Sequence, residues 1–413
     1  MNVERNRLYR FPWSRSDNAG GWVEVTDECS FSCPGCYRHK LEGHRPLADV
    51  EKDILDCRRL TNCDGMAIAG GEPLGYPRIL EVVSFMSRRG IKPTLLSNGD
   101  LLTPEFARAL KKAGLAKVHF HIDSAQKRPG WEGKSEVELN ELRQHYADLL
   151  WEVGGIQCGY HTTVFRETLG FVADITAWCR RNVPKVQHMS FIAFRTLPLD
   201  AGLEYHAGGH KIDLQGIRDE RVKDFDIGIT AEDMAGRLEA RWEDFEPAAF
   251  LNGSTAVGVA KYLIAVHVGS RHQVYGVLGP KSIELVQAAY HLFRGRYLSF
   301  LRNPVVGKKL FALALVDHSL RRAFGRFTQA CVRDPRNLVS RIYTQSIHLH
   351  RPSEVLRAQA DFCDSCLNMM AYRGRLIPSC RLDDYRLYGA PIIPVAVSGS
   401  AGGEAGAGLA REG

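Results

Sequence analysis

The sequence predicts an α/β fold, a partial (β/α)6 barrel, and three observations lead to this prediction. Short apolar runs alternate with segments of helical periodicity through about the first 200 residues, which is typical of βαβ units and a parallel sheet. Six such runs can be counted, and polar or glycine-rich motifs follow the first three of them directly. At 413 residues the chain is long enough for two or three domains, of which the barrel would be the first.

The predicted elements alternate regularly along this part of the chain. The six strands lie near Trp22, Met66, Thr94, Val118, Cys158 and Val186. Apolar residues at helical spacing predict helices between the strands, over residues 47–60, 79–89, 104–113, 138–151 and 169–181. Thr103 before Pro104 is typical of a helix start, and Gly90 and Gly114 are typical of helix ends.

The loop after the first strand carries three cysteines at C-x3-C-x2-C spacing. Cys29, Cys33 and Cys36 are followed directly by the aromatic Tyr37. Soft thiolates at such spacing suit an iron–sulfur cluster or zinc. Three ligands would leave one iron of a 4Fe–4S cluster open to an outside ligand. A zinc site with His39 as the fourth ligand is the alternative.

C-x3-C-x2-C followed by an aromatic residue resembles the cluster loop of the radical S-adenosylmethionine (SAM) superfamily. The resemblance covers about residues 20–195. It implies a partial barrel, a SAM-binding 4Fe–4S cluster and SAM itself as cofactors. It also implies an enzyme that cleaves SAM reductively to a 5′-deoxyadenosyl radical, which abstracts hydrogen from an unactivated carbon. The exact reaction, oxidoreductase or transferase, stays open at this point.

Candidate SAM contacts follow the next three strands. In the superfamily a Gly-Gly-Glu-Pro turn lies against the methionine end of SAM, and Ser97 matches a ribose-contacting position of relatives. Glycines let backbone approach a ligand closely and a carboxylate can meet an ammonium group, although the same four residues alone are only a turn. Asp123 ends the fourth strand, on the face that alternation assigns to His121 as well. The expected cofactor-binding residues are Gly70, Gly71, Glu72, Pro73, Ser97, Asn98 and Asp123.

A second cysteine cluster, Cys363, Cys366 and Cys380, has the spacing C-x2-C-x13-C near the other end of the chain. It resembles the C-terminal cluster of the molybdopterin GTP cyclase family, which implies an auxiliary 4Fe–4S cluster. A zinc knob is the alternative. That family carries arginines soon after the second cysteine and ends in two glycines, whereas here Arg373 comes later and the chain ends Glu412-Gly413. GTP is therefore not expected as the substrate.

The basic character of the chain belongs to one region. The net charge is +7, but His267 to Thr344 contains 13 Lys or Arg and three acidic residues, a net charge of +10. Residues 201–355 are expected to form a mixed, mostly helical basic region, in which 305–327 is a basic amphipathic helix or helix pair. Packing against the barrel explains such a segment. Contact with a membrane surface or a lipid-like, anionic substrate is the more specific hypothesis.

Domain limits and location follow from composition. We expect the barrel at 20–200, the basic region at 201–355, the auxiliary cluster region at 356–390 and a disordered Gly/Ala-rich tail at 395–413. No apolar run reaches the ~18 residues that span a bilayer, and the first ten residues do not resemble a signal peptide. Six of eleven cysteines lie in two tight clusters, unlike a secreted disulfide framework, so a cytoplasmic location is expected.

The expected partners are a reductant such as flavodoxin or ferredoxin and a small-molecule or lipid-like substrate. Peripheral contact with a membrane surface is also expected. A zinc-dependent nucleic-acid-binding protein would explain the cysteines and the basic stretch, but not Gly-Gly-Glu-Pro after a strand. A radical SAM enzyme that modifies RNA or a small molecule is the other alternative. Nucleic acid is not expected, because the aromatic residues of the basic segment recur at helical spacing, which suits packing better than base stacking.

Overall fold

The computed structural model describes residues 5–31, 33, 36, 38, 43–194, 203–214, 228–253, 260–352 and 365–396. Three predictions fall outside these residues. They are Cys363 as a cluster ligand, His39 as a zinc ligand and the disordered tail beyond residue 396.

Within the described residues the chain forms strands and helices in close alternation. The strands are β1 (Tyr9–Arg10), β2 (Trp22–Thr26), β3 (Gly65–Gly70), β4 (Lys92–Ser97), β5 (Lys117–His121), β6 (Gln157–Val164), β7 (Val186–Ala193), β8 (Leu203–Ala207), β9 (His210–Ile212), β10 (Ala249–Asn252), β11 (Ala260–Gly269), β12 (Val274–Val277), β13 (Tyr343–His350), β14 (Met369–Tyr372), β15 (Arg375–Pro378) and β16 (Ile393–Ala396). The α-helices are α1 (Leu47–Thr61), α2 (Ile79–Arg88), α3 (Pro104–Ala113), α4 (Asn140–Val153), α5 (Val172–Arg181), α6 (Ala231–Glu239), α7 (Pro280–Arg294), α8 (His318–Arg333) and α9 (Leu382–Tyr388).

The predicted α/β class and six-unit architecture are confirmed. Strands β2 to β7 are parallel neighbours in chain order, and an α-helix lies between each consecutive pair of these six strands. The Thr103 side chain accepts the Phe106 N–H at the start of α3, and Gly114 ends that helix in a left-handed conformation, as predicted. Among the described strands the two ends of the sheet do not pair, so the barrel is partial and open.

The sheet continues beyond the six units. β13 adds parallel to β7, and β11 pairs antiparallel with β13, so the sheet crosses the domain limit expected at residue 200. The region predicted to be mostly helical thus combines α6, α7 and α8 with strands of the main sheet. The sequence did not indicate this because about 150 residues separate β7 from β13.

The C-terminal segment attaches to the opposite side of the sheet. The antiparallel pair β14–β15 joins the six-strand array through a parallel pairing of Met370 with Trp22 of β2. The two residues also share a small buried apolar cluster. The segment that carries Cys366 and Cys380 therefore lies beside the strand that leads to the first cysteine loop.

The basic segment is a pair of helices that pack on the sheet. A 3-10 helix over Lys308–Leu315 precedes α8, and Phe311, Leu320 and Phe327 are buried in a second apolar core with β11 and β12. The helix-pair prediction is therefore met, and most of the apolar face is used for packing. None of the described helices is both long and apolar enough to cross a membrane.

Candidate functional site

Four loops that follow neighbouring parallel strands lie at one edge of the sheet. β2, β3, β4 and β5 are adjacent and parallel, so their carboxyl ends lie side by side, where α/β folds place ligands. The candidate residues occur at or just after these ends: the first cysteine loop, residues 70–73, residues 97–98 and Asp123. Strand order alone thus brings the candidate cofactor residues of the first cluster to one edge.

The cysteine loop presents three thiols that are not in disulfides. Cys29, Cys33 and Cys36 are each partly exposed. The Phe31 N–H points to Cys29 Sγ at 3.4 Å, and the Cys36 N–H donates to the Cys33 carbonyl at 3.2 Å. Backbone N–H groups aimed at sulfur are common around thiolate-bound clusters, so this donor set fits an iron–sulfur group.

The glycine turn is fastened to the start of that loop through backbone contacts. The Gly71 N–H donates to the Thr26 carbonyl at 2.8 Å, and the Glu72 N–H donates to the Glu28 carbonyl at 2.7 Å. Gly70 has a φ of +138°, and a Cβ on Gly71 would lie 2.1 Å from the Glu28 carbonyl oxygen. Both glycines are therefore required by close approach of two backbone segments.

The Glu72 carboxylate is turned inward and joins the ends of β3 and β4. It accepts hydrogen bonds from the Leu74 N–H (2.9 Å), the Ser97 hydroxyl (2.7 Å) and the Asn98 N–H (2.7 Å). Burial raises the pKa of Glu72 above its usual value, and these hydrogen bonds oppose only part of the shift. Three of the roughly four acceptor positions of this carboxylate are thus occupied by the protein, and its contact with an ammonium group stays a prediction.

Arg128 is a member of this edge that sequence reasoning missed. Its guanidinium donates to the Asn98 carbonyl at 2.6 Å and lies 4.9 Å from the centre of the Phe31 ring. The Asn98 side-chain nitrogen is in turn 4.0 Å from Cys29 Sγ. Arg128 lies in a polar excursion without periodicity, so no pattern in the sequence marked it.

Asp123 is held by its neighbours at the end of β5. His121 Nε2 lies 2.7 Å from its carboxylate, and the Thr163 N–H donates to the same oxygen at 3.3 Å. Burial by itself raises the pKa of Asp123, but the His121 charge and the hydrogen bonds outweigh it and keep the pKa below its usual value. Asp123 is therefore an ionised, oriented acceptor at the cofactor edge.

A buried ionic network connects the first cysteine loop to the C-terminal segment. Arg38 lies 2.8 Å from Glu24, 2.7 Å from Asp27 and 2.5 Å from Asp383 of α9, and Arg386 pairs with Asp27 at 2.9 Å. Sequence reasoning missed this network, because 345 residues separate Arg38 from Asp383. It positions α9 directly against the loop that carries the first three cysteines.

Cys366 and Cys380 lie at the two ends of the β14–β15 hairpin. The Ser379 N–H donates to the Asn368 carbonyl at 2.9 Å, which holds the two segments together. The Asn368 N–H points to Cys366 Sγ at 3.4 Å, the same arrangement as at Cys29. Neither described cysteine of this pair is in a disulfide.

A cavity of about 350 Å³ lies against the concave face of the sheet. The side chains on that face of β5, β6, β7 and β13 line it, and α7 and residues 298–306 close it. Four histidines converge there: His119, His161, His188 and His348. Burial, with positively charged neighbours, lowers the pKa of His161 and of His348 to about 3, and burial lowers the pKa of Lys117 to about 7.

Comparison with known proteins identifies the part of the chain that contains the first cysteine loop. Residues 23–152 match the family described as the Radical SAM superfamily. The match confirms the resemblance drawn from the cysteine spacing. Members of this family use a 4Fe–4S cluster and SAM, the two cofactors expected for the first cysteine loop. The match supports an enzyme of the radical SAM class.

Similar proteins cover only part of the chain. A GTP 3′,8-cyclase of Alkaliphilus oremlandii is 32% identical over 108 residues, 25% of this chain and 34% of the relative. An AdoMet-dependent heme synthase of Nitratidesulfovibrio vulgaris is 25% identical over 169 residues, 38% of this chain and 44% of the relative. The chain thus spans less than half the length of these two relatives.

Among solved structures, Streptococcus suis SuiB bound to S-adenosylmethionine aligns with a TM-score of 0.39 at 15% identity. The alignment covers 55% of this chain and 47% of that one.

Proposed function

We propose, from the premise that residues 23–152 form a radical SAM domain, that this protein cleaves SAM reductively and abstracts hydrogen from an unactivated carbon. The observation that carries the proposal is the joint placement of two motifs. Three thiols that are not in disulfides follow β2 at C-x3-C-x2-C spacing, and the Gly70–Gly71 turn is hydrogen-bonded to the start of the same loop. A zinc knob would need the thiols but gives no reason for the glycine turn.

Cys29, Cys33 and Cys36 would hold the cluster. Soft thiolates are the donors that iron–sulfur clusters use, and three of them leave one iron open. The chemistry supplied by such a cluster with SAM is one-electron cleavage of a carbon–sulfur bond, giving methionine and a 5′-deoxyadenosyl radical that takes hydrogen from carbon. The electron would come from a reductant such as flavodoxin or ferredoxin.

SAM would be held by residues at the ends of β3, β4 and β5. Gly70 and Gly71 let the turn lie against the start of the cysteine loop, and Glu72 with Pro73 fixes the turn from inside. Ser97 and Asn98 are positioned by the Glu72 carboxylate, and Arg128 holds Asn98 from the other side. Asp123, kept ionised by His121, would accept a hydrogen bond from SAM.

Cys366 and Cys380, with Cys363, would hold a second 4Fe–4S cluster. The Arg38 network supports this proposal because it packs the segment after Cys380 against the first cysteine loop. Two of the relatives' names, GTP 3′,8-cyclase and heme synthase, concern different substrates. The substrate class of this chain is therefore argued from its own cavity.

The substrate would lie in the cavity on the concave face of the sheet. Its lining is mainly apolar. The polar groups are imidazoles, Lys117 and several uncharged amides and hydroxyls such as those of Gln157, Gln187 and Ser190, and no Asp or Glu occurs among the described lining residues. An apolar molecule that carries an anionic group fits this lining, which includes a lipid-like molecule. A cytoplasmic location is proposed with it, because reducing conditions keep free thiols available to clusters.

Anaerobic reconstitution with iron and sulfide tests the proposal. The protein should become brown and, with dithionite and SAM, should release 5′-deoxyadenosine detectable by mass spectrometry. The triple variant Cys29→Ala/Cys33→Ala/Cys36→Ala should lose about half of the iron, one of two like clusters, and all 5′-deoxyadenosine. Cys331→Ala, outside both clusters, is the matched control and should retain both. Colourless protein that holds stoichiometric zinc in the cysteine loop would contradict the proposal.

A further inference from the structure

Three imidazoles converge inside the sheet at a distance from one another that suits one metal ion. Ligand atoms of His119, His161 and His188 all lie within 4.8 Å of one another. Three nitrogens around a tetrahedral zinc are about 3.3 Å apart, from Zn–N distances of about 2.0–2.1 Å. To close around one ion the nitrogens must approach from up to 4.8 Å to about 3.3 Å, and the His119 and His188 rings must turn out of their parallel stack so that both in-plane lone pairs face the ion.

The strand register explains why these rings meet. His119 on β5 pairs with Gly159 on β6, and Gly159 pairs with His188 on β7, so all three positions form one row across the sheet. A Cβ on Gly159 would lie 2.5 Å from His119 Cδ2 and 3.0 Å from His188 Cβ. The glycine leaves room for the two rings, which stack with centres 4.4 Å apart. His161 lies two residues after Gly159 on the same face of β6, and its ring centre is 4.6 Å from that of His119.

One contact and one buried nitrogen without a partner indicate that the rings are prepared for a ligand. His188 Nδ1 lies 2.8 Å from the Ser346 hydroxyl, which orients the ring and leaves Nε2 for another partner. His119 Nε2 is buried and has no hydrogen-bond partner among the described residues. A buried polar atom without a partner is unfavourable, and a bound ion would supply the missing partner.

We propose that His119, His161 and His188 bind one zinc ion inside the cavity, with a fourth coordination position open to the cavity. Three imidazoles are a ligand set that suits zinc. The described cavity lining contains no carboxylate, so the bound ion would keep its full positive charge. The open position would therefore take an anionic oxygen, such as a carboxylate on the substrate. The zinc site rests on the histidines alone, whereas the assignment of its open position to a substrate carboxylate rests on the proposed function.

Zinc binding to the iron–sulfur-reconstituted protein is the test. After incubation with zinc chloride and exhaustive buffer exchange, wild type should retain one zinc per chain, measured by mass spectrometry alongside iron. X-ray absorption at the zinc edge should show a nitrogen shell at about 2.0–2.1 Å with imidazole scattering, not sulfur at about 2.3 Å. Zinc retained with a sulfur-only shell, or no zinc retained, would overturn the proposal.

Variants separate the site from a general loss of structure. His119→Gln/His161→Gln should weaken zinc binding by roughly 100-fold or more, and Ser346→Ala, which acts through His188, by about 10-fold. His267→Gln is the matched control, since His267 is buried in the same sheet, bonded to Gln345 and absent from the cavity lining. Unchanged zinc affinity in the double variant would refute the site, with circular dichroism used to confirm folding and single His161→Gln measured if the double variant unfolds.

The cysteine variants distinguish this proposal from the proposed function. Cys29→Ala/Cys33→Ala/Cys36→Ala should keep the nitrogen-coordinated zinc even though it forms no 5′-deoxyadenosine. If the first cysteine loop were itself a zinc site, a sulfur shell would be present in wild type and decrease in this variant. A nitrogen shell lost together with those cysteines would place the zinc outside the histidine cluster and refute the assignment.

Discussion

Glu72→Gln removes one charge from the cofactor edge while leaving its shape nearly unchanged. In the wild type both carboxylate oxygens accept, one from Leu74 and Ser97 and the other from Asn98. The new amide can present only one oxygen. In either orientation its NH₂ group faces a buried backbone N–H, that of Asn98 or that of Leu74, while the Ser97 hydroxyl can rotate to accept.

The expected effect follows from that single unsatisfied donor. One buried N–H without an acceptor costs about 1–3 kcal/mol, and the remaining hydrogen bonds lose their charge assistance. Removal of a buried charge offsets part of this, since burial raises the pKa of Glu72. We expect the free energy of unfolding to decrease by about 2 kcal/mol. For a domain of about 150–250 residues this lowers Tm by roughly 4–8 °C.

The difference in stability between wild type and Glu72→Gln should depend on pH. Because the folded-state pKa of Glu72 lies above its unfolded value, its stabilising contribution is complete below that unfolded value and decreases as pH rises through the folded one. Glutamine does not titrate, so the gap in Tm between wild type and variant should be widest at acidic pH and narrow toward neutral pH. Thermal unfolding measured across this range is the assay. Ser97→Ala is the comparison variant: it removes one donor to the carboxylate and the acceptor of the Gly99 N–H, so it should cost about 2 kcal/mol, but it keeps a titrating Glu72. A gap that widens with pH, or no gap, would refute the reasoning.

Three other predictions concern the second cluster, unfolding at acidic pH and the basic segment. Cys380→Ala should lose about half of the iron and still cleave SAM slowly without completing turnover; full iron and full product would contradict a second cluster. Asp123→Asn should shift acid unfolding to higher pH. The folded-state pKa of Asp123 lies below its usual value, so the ionised carboxylate stabilises the fold above the unfolded pKa, and this contribution is lost as pH falls. Identical acid-unfolding midpoints in wild type and variant would contradict this. Wild type should float with anionic vesicles at low salt, because each basic residue near such a surface contributes about 1 kcal/mol of binding. Recovery in the soluble fraction would favour a helix pair that only packs on the sheet. The comparison variant for flotation neutralises Lys308, Lys309, Arg321, Arg322 and Arg326.

Local rules were sufficient for the barrel and for the candidate loops. Alternation of short apolar runs with helical periodicity gave the six strands in order, and Thr103 and Gly114 gave both ends of α3. The positions of Gly70, Ser97 and Asp123 at strand ends followed from the same rule, although their contacts with SAM remain predictions. These features depend on residues close in sequence, which is why one sequence is enough to find them.

Contacts between distant residues could not be predicted in the same way. The Arg38 pairing with Asp383 joins segments 345 residues apart, and Arg128 reaches Asn98 from an irregular loop. Alternation placed His121 and Asp123 on one face of β5, but the row formed by His119, Gly159 and His188 depends on the register of three strands. Register is decided by packing of the whole sheet, and a single sequence does not contain it in readable form.

The alternation of β5 also explains how one strand serves two sites. Val118, Phe120 and Ile122 point into the apolar core under the helices, while Lys117 and His119 line the cavity, and His121 follows on the same face. His121 contacts Asp123 at the cofactor edge, and its register partner is His161 on β6. Polar side chains thus run without a break from the edge where SAM would bind to the histidine cluster. A substrate anchored at that cluster would lie along the same face as the radical source, yet the two sets of ligands share no residue, so iron and zinc content should respond to separate substitutions.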